Sequence, residues 1–397
     1  MYYNVTRLKI LLQSNDLDAI VATTKENILY FTGFESVIKI LNPYHGQVYA
    51  LITTDKIDSV SVVIPKGEVD QILDSNVNIS DVYTYGTFFR EMRESTDLLE
   101  FEKKLVLLSN GSSNKDSPVE ALTALLYQLK LENSRIGLDE DGISPQVFSA
   151  IKNTFNAKWV TAAHIIRKTR YVKTTKELEN LKKVACGTEE SINLVSMNLV
   201  LGMSEYEIAC CFETELIKRG IRPSLTMLRL GRYAVCGQGR QRDTVKLNSG
   251  QLIWFDPDTY YRGFWADIAR TYFYRLFDIP IQKYQALLYG QETAINLIRP
   301  GMTGSEVFHL TMKAVKDAGF SHYRRHHVGH GIGLEPYEQP MLAPNNDTVI
   351  EEGMVLSIET PYYEYEFGAL HVEDPIVVGA KENHRLINSS KKIPLVE

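Results

Sequence analysis

Acidic residues lie on two strand-like segments whose other side chains are mostly apolar or aromatic. Segments 252–256 and 264–267 flank a turn-like Tyr-Tyr-Arg-Gly sequence, a pattern typical of a β-hairpin. A turn centred between residues 261 and 262 predicts that Asp256 lies directly opposite Asp267, with Cβ atoms about 4.5–5.5 Å apart. Two like charges in such an apolar setting repel each other unless something neutralises them.

A second acidic pair is predicted further along the chain. Glu359 ends the apolar run 354–358, and Glu373 ends the segment Leu-His-Val-Glu. A turn centred near Glu366 brings these two carboxylates together. A shared proton could neutralise one pair, whereas two divalent cations would neutralise both. The competing interpretation is that these acids end their strands and point into solvent.

The histidines favour a metal site. Five of the nine histidines lie between His322 and His371, and His330 stands in the glycine-rich run Gly-His-Gly-Ile-Gly. Flanking glycines let the backbone approach a site closely. Four carboxylates and one imidazole without a thiolate suit Mn, Fe(II), Co or Zn better than a cysteine-type zinc site does.

Length and composition restrict the class of protein. The 397 residues correspond to two domains at about 100–200 residues each. A 44% hydrophobic and 23% charged composition excludes collagen, coiled-coil and disordered classes. The net charge of −6 indicates neither a nucleic-acid partner nor an anionic membrane surface.

The cysteines and the N-terminus predict a cytoplasmic location. The spacing of the four cysteines fits neither a zinc site nor a disulfide framework, which favours buried free thiols in a reducing compartment. The N-terminus lacks an apolar stretch of signal-peptide length. No run approaches the roughly 20 apolar residues of a membrane helix.

Hydrophobic periodicity predicts an α/β domain in the first part of the chain, ending near residues 158–160. Helices are expected over 5–13 and 118–131, and a turn over 23–27 leads into the apolar run 28–31. Strand-like runs follow the same alternation, at 18–22, 48–52, 59–64, 105–108 and 134–138.

In the second part, Thr175 is the expected N-cap of a long helix, and Ser204 that of the next. The phrase Gly202-Met203-Ser204-Glu205 has a parallel in 301–306, again followed by a helix, which suggests an internal duplication. Strands are expected over 252–256, 264–274, 355–359 and 370–378.

These motifs resemble those of the pita-bread metallohydrolases, which include methionine aminopeptidase, aminopeptidase P, prolidase and the metal-free creatinase. That family's ligands follow the order Asp, Asp, His, Glu, Glu, with the aspartates 11 positions apart, as Asp256 and Asp267 are. The family's remaining motifs also have counterparts here. They are the phrase Asp-Ile-Ala-Arg-Thr that begins at Asp267, the histidine run that ends at residue 334, and the segments that end at Glu359 and contain Glu373.

The resemblance extends over the whole chain. The phrase Asn27-Ile-x-Tyr-Phe-Thr-Gly33 looks like part of a creatinase-type N-terminal domain, and 170–177 like its junction helix. The resemblance therefore implies an α/β creatinase-like domain over residues 1–165. It implies a pita-bread α+β catalytic domain with pseudo-duplicated halves over 166–397.

The chain departs from the peptidase pattern at several positions. Gln238 and Tyr337 stand where the peptidases carry two substrate-contacting histidines. Thr360 replaces a proline, His371 replaces an arginine, and Asp258 adds an acid where glycine is usual. A dimethylsulfoniopropionate lyase branch of the same fold shares the Asp-x-Asp and also lacks those histidines. The changes indicate a shift in substrate within a preserved metal centre, although neutral drift is the alternative.

The resemblance implies a metal-dependent hydrolase that cleaves a peptide or small-amide C–N bond, similar to an Xaa-Pro dipeptidase or aminopeptidase. Two divalent ions (Mn, Co, Fe or Zn) that bridge a water would be held by Asp256, Asp267, His330, Glu359 and Glu373, with Asp258 as a candidate additional ligand. Glu359 is the expected general base. His326 and Tyr337 would polarise the carbonyl, and the expected substrate-binding residues are Gln238, Tyr337 and His371.

Two alternatives stand beside this expectation. One is a non-peptidase enzyme of the same fold, such as a dimethylsulfoniopropionate lyase or a hydrolase of small amides like creatinase or ectoine hydrolase. The other is a binding protein without turnover. The expected partners are a small molecule or short peptide and a second copy in a homodimer, with no nucleic acid and no membrane.

Overall fold

The computed structural model describes residues 3–93, 97–111, 113–275 and 280–388, and residues 395–396 by their backbone. The chain divides into two compact units, Met1–Arg170 and Tyr171–Glu397. The helices of the first unit are α1 (Val5–Ser14), α2 (Lys25–Thr32), α3 (Val37–Leu41), α4 (Glu100–Asn110), α5 (Pro118–Gln128), α6 (Pro145–Thr154) and α7 (Ala163–Arg170). Its strands are β1 (Ala19–Ala22), β2 (Tyr49–Thr53), β3 (Val60–Pro65), β4 (Ile79–Tyr85), β5 (Asn114–Lys115), β6 (Arg135–Leu138) and β7 (Lys158–Thr161).

The strands of the first unit form one mixed sheet in the order β5-β4-β3-β2-β1-β6-β7. The central strand β1 pairs antiparallel with β2 and parallel with β6. All four of its residues are buried, as expected for a strand that is covered on both faces. This is the α/β architecture that the sequence predicts.

Two short apolar runs of the first unit are helical. The run 28–31 lies in α2, which begins within the predicted turn because the Thr24 hydroxyl accepts a hydrogen bond from the Asn27 N–H. The run 105–108 was expected to be a strand, but it lies in α4, where Glu102 caps the N–H of Leu99. That expectation was wrong because four consecutive apolar residues fit either a helix or a strand.

Within the residues that the structure describes, the second unit contains four α-helices and several small sheets. Its helices are α8 (Thr175–Met197), α9 (Glu205–Lys218), α10 (Ile281–Leu297) and α11 (Gly304–Asp317). Its strands are β8 (Arg222–Leu225), β9 (Leu228–Leu230), β10 (Gln251–Phe255), β11 (Asp258–Tyr261), β12 (Phe264–Asp267), β13 (Arg270–Tyr274), β14 (Gly329–Gly331), β15 (Glu338–Met341), β16 (Val355–Glu359), β17 (Tyr362–Glu364), β18 (Gly368–Leu370), β19 (Glu373–Val377), β20 (His384–Arg385) and β21 (Leu395–Val396).

Equivalent backbone contacts support the suggested duplication. The Gly202 N–H donates to the carbonyl of Leu247, and the Gly301 N–H donates to that of Ile350, both at 2.9 Å. Both α9 and α11 then begin with a capping box. The two phrases are therefore structural counterparts, each tied to the segment that precedes a strand with a predicted ligand at or directly after its end.

The N-cap of α8 lies one residue earlier than predicted. Thr174, not Thr175, accepts a hydrogen bond from the Glu177 N–H, and the Glu177 carboxylate accepts one from the Thr174 N–H. This reciprocal pair needs a spacing of three residues, which only Thr174 provides. Among the described residues, no helix combines the length and the apolar character needed to cross a bilayer.

Candidate metal centre

The second acidic pair forms as predicted. Strands β16 and β19 are antiparallel with Glu359 directly opposite Glu373. Between them β17 and β18 form a shorter hairpin, in which Glu364 pairs with Gly368 around Glu366. Glu366 has a φ of 69°, which a tight turn requires. The predicted turn position is therefore confirmed.

The register predicted for the first pair is wrong. Asp258, not Asp256, lies directly opposite Asp267, because the hairpin turns at Arg262 and Gly263, with φ angles of 48° and 90°. Two consecutive positive φ values define the tight turn that matches strand twist. Asp256 follows the end of β10, and its N–H donates to the Met227 carbonyl at 2.9 Å. The centre thus gains a third aspartate.

The predicted strand 264–274 is two strands, and so is 370–378. The first is interrupted at residues 268–269, directly after Asp267, and the second at 371–372, directly before Glu373. The Glu373 N–H donates to the Ala269 carbonyl at 3.2 Å. The two interruptions are therefore adjacent in the structure, which brings the carboxylates of Asp267 and Glu373 close together.

His330 lies among these carboxylates. It is fully buried on β14, and its Nδ1 lies 3.0 Å from the Gly331 carbonyl oxygen. That contact assigns the proton to Nδ1 and leaves Nε2 free to accept. Nε2 lies 3.5 Å from Asp267 Oδ2 and 3.8 Å from Glu373 Oε1. Gly329 (φ 141°) is required, because a Cβ there would lie 2.1 Å from the Ser357 carbonyl oxygen.

The carboxylates are too crowded to be ionised together without cations. All five predicted ligands and Asp258 have exposed fractions of 8% or less. Burial and the neighbouring Asp267 and Asp256 raise the pKa of Asp258 to about 9. Burial and adjacent carboxylates also raise the pKa values of Asp267 and Glu373. The cluster is electrostatically unfavourable as it stands.

The same cluster fits divalent ions. Several of its buried polar atoms make no hydrogen bond within the described residues: Asp258 Oδ1, Asp267 Oδ1, His330 Nε2 and Glu373 Oε1. Donor atoms of Asp267, His330 and Glu373 lie within 4.8 Å of one another. Oxygen-rich donors with imidazole suit first-row divalent metals, and the positive charge removes the repulsion.

Two residues of the Asp-Ile-Ala-Arg-Thr phrase hold this centre together. The Arg270 guanidinium donates to the Glu373 carbonyl at 2.7 Å and forms ion pairs with Glu189 and Asp374 at 2.9 and 2.8 Å. The Thr271 hydroxyl accepts from the His371 N–H at 2.9 Å. These bonds join the strand after Asp267 to the one that carries Glu373.

A cavity of about 500 Å³ opens beside the centre. Its walls include Asp256 and Glu359 together with all four predicted substrate-contacting residues, Gln238, His326, Tyr337 and His371. The Tyr337 ring stacks on His330 with centroids 3.8 Å apart. Burial and nearby carboxylates raise the pKa of Tyr337, so its hydroxyl is a hydrogen-bond donor at neutral pH.

Sequence reasoning missed two cavity residues, Arg325 and His327. His327 is buried, with Nδ1 2.7 Å from Glu359 Oε1, whereas its neighbour His326 is exposed. Arg325 lies 3.8 Å from Glu359 Oε2. Burial by itself would raise the pKa of Glu359. The interactions with His327 and His371 outweigh the effect of burial, so the pKa of Glu359 is lowered. The sequence signal that could have identified both residues is the basic run Arg-Arg-His-His directly before the glycine-rich motif of His330.

A buried ion pair supports the segment that carries Tyr337. Glu338 Oε2 lies 2.6 Å from Lys173 Nζ, and both side chains are almost fully buried. Lys173→Met leaves the Glu338 carboxylate without this partner, so we expect the free energy of unfolding to fall by about 3–5 kcal/mol. Urea unfolding followed by tryptophan fluorescence measures it.

The matched control for this pair is Lys176→Met. Lys176 pairs with Glu179 at 2.9 Å on the surface, so its removal should change the free energy of unfolding by less than about 0.5 kcal/mol. Equal losses in the two variants would show that the buried pair contributes no more than a surface pair.

Comparisons with known proteins agree with this geometry. Residues 179–380 match the model of metallopeptidase family M24, and residues 5–172 match the Creatinase/Prolidase N-terminal domain. The chain is 28% identical to an Xaa-Pro dipeptidase of Lactobacillus delbrueckii subsp. lactis over 381 residues, covering 94% of this chain and 93% of the relative. It is 26% identical to an Xaa-Pro dipeptidase of Pyrococcus furiosus over 275 residues, covering 68% and 78%.

Solved structures share the fold over the whole chain. An Xaa-Pro dipeptidase structure from Bacillus anthracis superposes with a TM-score of 0.80 at 22% identity, covering 99% of both chains. Fold and site together define a two-domain enzyme with a pita-bread catalytic domain. The chain belongs to metallopeptidase family M24 and is a metal-dependent hydrolase.

Proposed function

We propose that the protein is an Xaa-Pro dipeptidase-like enzyme that cleaves the peptide bond of a short substrate with a free carboxylate. The observation that carries this proposal is the cavity of about 500 Å³, which is lined by Asp256 and Glu359 of the metal centre and also by Arg325. A space of this size suits a small ligand. The names of the curated relatives and of the solved neighbour support the same substrate class.

Arg325 is the proposed anchor for the substrate carboxylate. Its side chain is 14% exposed, and its Nε makes no hydrogen bond within the described part of the chain. A planar guanidinium binds a carboxylate through two parallel hydrogen bonds. A dipeptide bound in this way has its single peptide bond near the metal centre.

The proposed metal ligands are those named from the sequence: Asp256, Asp267, His330, Glu359 and Glu373. Asp258, directly opposite Asp267, is the candidate additional ligand. Divalent ions at such a centre act as Lewis acids toward a carbonyl and lower the pKa of water. Fixed carboxylates and imidazoles orient the ions, and the cavity wall restricts access of other solvent.

The chain's own side chains supply the remaining chemistry. Glu359 is the proposed general base, because its carboxylate lies in the metal centre and is held by His327, whose Nδ1 is 2.7 Å from Glu359 Oε1. Tyr337 and His326 donate hydrogen bonds to the substrate carbonyl as negative charge develops there. Gln238 binds the substrate through its amide but cannot transfer a proton at neutral pH.

The same proposal includes a cytoplasmic homodimer that uses Mn, Co, Fe or Zn. The cysteine pattern and the N-terminus support the location, the donor chemistry supports the choice of metal, and the resemblance alone supports the homodimer. The departures at Gln238, Tyr337 and Asp258 favour one second candidate, a non-peptidase enzyme of this fold. An extra buried carboxylate directly opposite Asp267 alters the charge that surrounds any bound substrate.

A substrate panel distinguishes these candidates. Metal-loaded protein is incubated with Xaa-Pro dipeptides, their C-terminal amides, non-peptide small amides and sulfonium compounds, in the presence of Mn, Co or Zn. We expect hydrolysis of the dipeptides and weak activity on the other compounds. Turnover of a non-peptide amide or a sulfonium compound without dipeptide cleavage would replace the proposal by the second candidate.

Arg325→Gln tests the carboxylate anchor. A hydrogen bond between charged groups contributes about 1.5–3 kcal/mol, so KM for a free-acid dipeptide should rise about 10–100-fold. KM for the C-terminal amide should hardly change. The matched control is Arg324→Gln, since Arg324 is the exposed neighbour. Equal effects on acid and amide would exclude Arg325 as the anchor.

A further inference from the structure

We propose that His371 is a direct metal ligand, so that each ion of the pair receives one imidazole. The position is occupied by arginine in the peptidases that the chain resembles, and an arginine side chain cannot bind a cation. The inference concerns the metal centre and not the substrate. A protein inactive on Xaa-Pro dipeptides would leave it standing.

The distances from His371 Nε2 to two neighbouring carboxylates are those between ligands of a common ion, whereas the ring atom that lies near Asp256 is Nδ1. Nε2 lies 3.2 Å from Glu359 Oε2 and 3.5 Å from Glu373 Oε2, and Nδ1 lies 3.5 Å from Asp256 Oδ2. Two donors at about 2.0–2.2 Å from one ion, in tetrahedral or octahedral geometry, are about 3.0–3.5 Å apart. The corresponding separations of His330, 3.5 and 3.8 Å, fit no better.

The imidazole is buried and available. His371 is 2% exposed, and neither ring nitrogen makes a hydrogen bond within the described residues. Its backbone is fixed by the 2.9 Å bond from its N–H to the Thr271 hydroxyl. Its ring lies nearly parallel to the Trp254 indole, with an interplanar angle of 19° and centroids 6.2 Å apart. The ring is thus held in place before any ion binds.

Two donor groups emerge that share one residue. Asp256, His371 and Glu373 form one group and Asp267, His330 and Glu373 the other, each with donor atoms within 4.8 Å of one another. Glu373 has one oxygen toward each histidine. A carboxylate shared in this way would hold an ion on each side, each with one imidazole.

This donor set has a consequence for metal preference. A site of carboxylates alone suits Mn or Mg, whereas added imidazole favours Zn, Fe, Ni or Cu. We therefore expect His371 to favour Zn over Mn at the ion that Asp256 binds. The competing role for His371 is a fixed counter-ion, in which a protonated ring balances the carboxylates without binding metal.

His371→Arg separates these two roles, because arginine keeps the positive charge and cannot ligate. Metal-free protein is titrated calorimetrically with Zn²⁺ and with Mn²⁺. If His371 is a ligand, the variant keeps one tight Zn²⁺ site, and the second weakens by more than about 100-fold, since even outer-shell changes cost 10–100-fold. Two Zn²⁺ sites of unchanged affinity in His371→Arg would overturn the proposal.

X-ray absorption at the zinc edge gives a readout that needs no variant. We expect two imidazoles over two bound zinc ions in the unaltered protein and one in His371→Arg. One imidazole over two ions in the unaltered protein would overturn the proposal, even if the variant failed to fold. The control is His384→Ala, which removes an exposed histidine elsewhere on the second unit and should retain both zinc ions and both imidazoles.

Discussion

Asp267→Asn should abolish tight metal binding at the site that Asp267 shares with His330 and Glu373. Asp267 is 4% exposed, lies 3.5 Å from His330 Nε2 and pairs directly with Asp258. Asparagine keeps the shape of the side chain but removes the charge that attracts a divalent ion. Calorimetric titration and metal analysis after dialysis should show two ions in the unaltered protein and no more than one in the variant.

The variant's stability excludes misfolding as the cause. Removing one of several crowded carboxylates relieves repulsion, so metal-free Asp267→Asn should unfold at or above the temperature of the metal-free unaltered protein. Adding metal should stabilise the unaltered protein more than the variant. Asp347→Asn, on an exposed loop, is the control. Unchanged metal stoichiometry in Asp267→Asn would show that the ligand assignment is wrong.

Tyr337→Phe should lower kcat on an Xaa-Pro dipeptide by about 100–1000-fold, with little change in KM. The proposed hydroxyl donates to the carbonyl oxygen as charge develops, and loss of one such donor costs about 2.7–4 kcal/mol. The phenylalanine ring can still stack on His330, which lies 3.8 Å away between ring centroids. Metal content should therefore be unchanged.

Two further substitutions define the role of Tyr337. Tyr337→His introduces the imidazole expected in the peptidase pattern, and this variant should keep the activity that phenylalanine loses. Tyr365→Phe alters a tyrosine that is 86% exposed and should have no effect. If Tyr337→Phe retains full kcat, another group polarises the carbonyl.

The candidate centre could be predicted from sequence because its chemistry requires charged groups in an apolar context. Glu359 and Glu373 end strands whose register follows from a turn at Glu366, and the structure has that register. The register predicted for the first hairpin was wrong by two residues, because Asp258 and not Asp256 lies opposite Asp267. The turn type depends on the left-handed backbone of Arg262, and arginine carries no preference for that conformation.

Other features depend on three-dimensional packing that a sequence pattern does not contain. His326 and His327 are adjacent, and only the path of the chain decides which imidazole turns toward Glu359. The apolar run 105–108 has the composition of a strand, but a cap at Leu99 makes it helical. The two strand interruptions beside Asp267 and Glu373 arise from contact between distant segments.

Metal analysis of the purified protein tests the central claim most directly. The buried carboxylates and imidazoles should hold two divalent ions per chain after incubation with Mn, Co, Fe or Zn and extensive dialysis. A chain that retains no ion under these conditions would contradict the account, because the cluster would then be neutralised by protons rather than by metal.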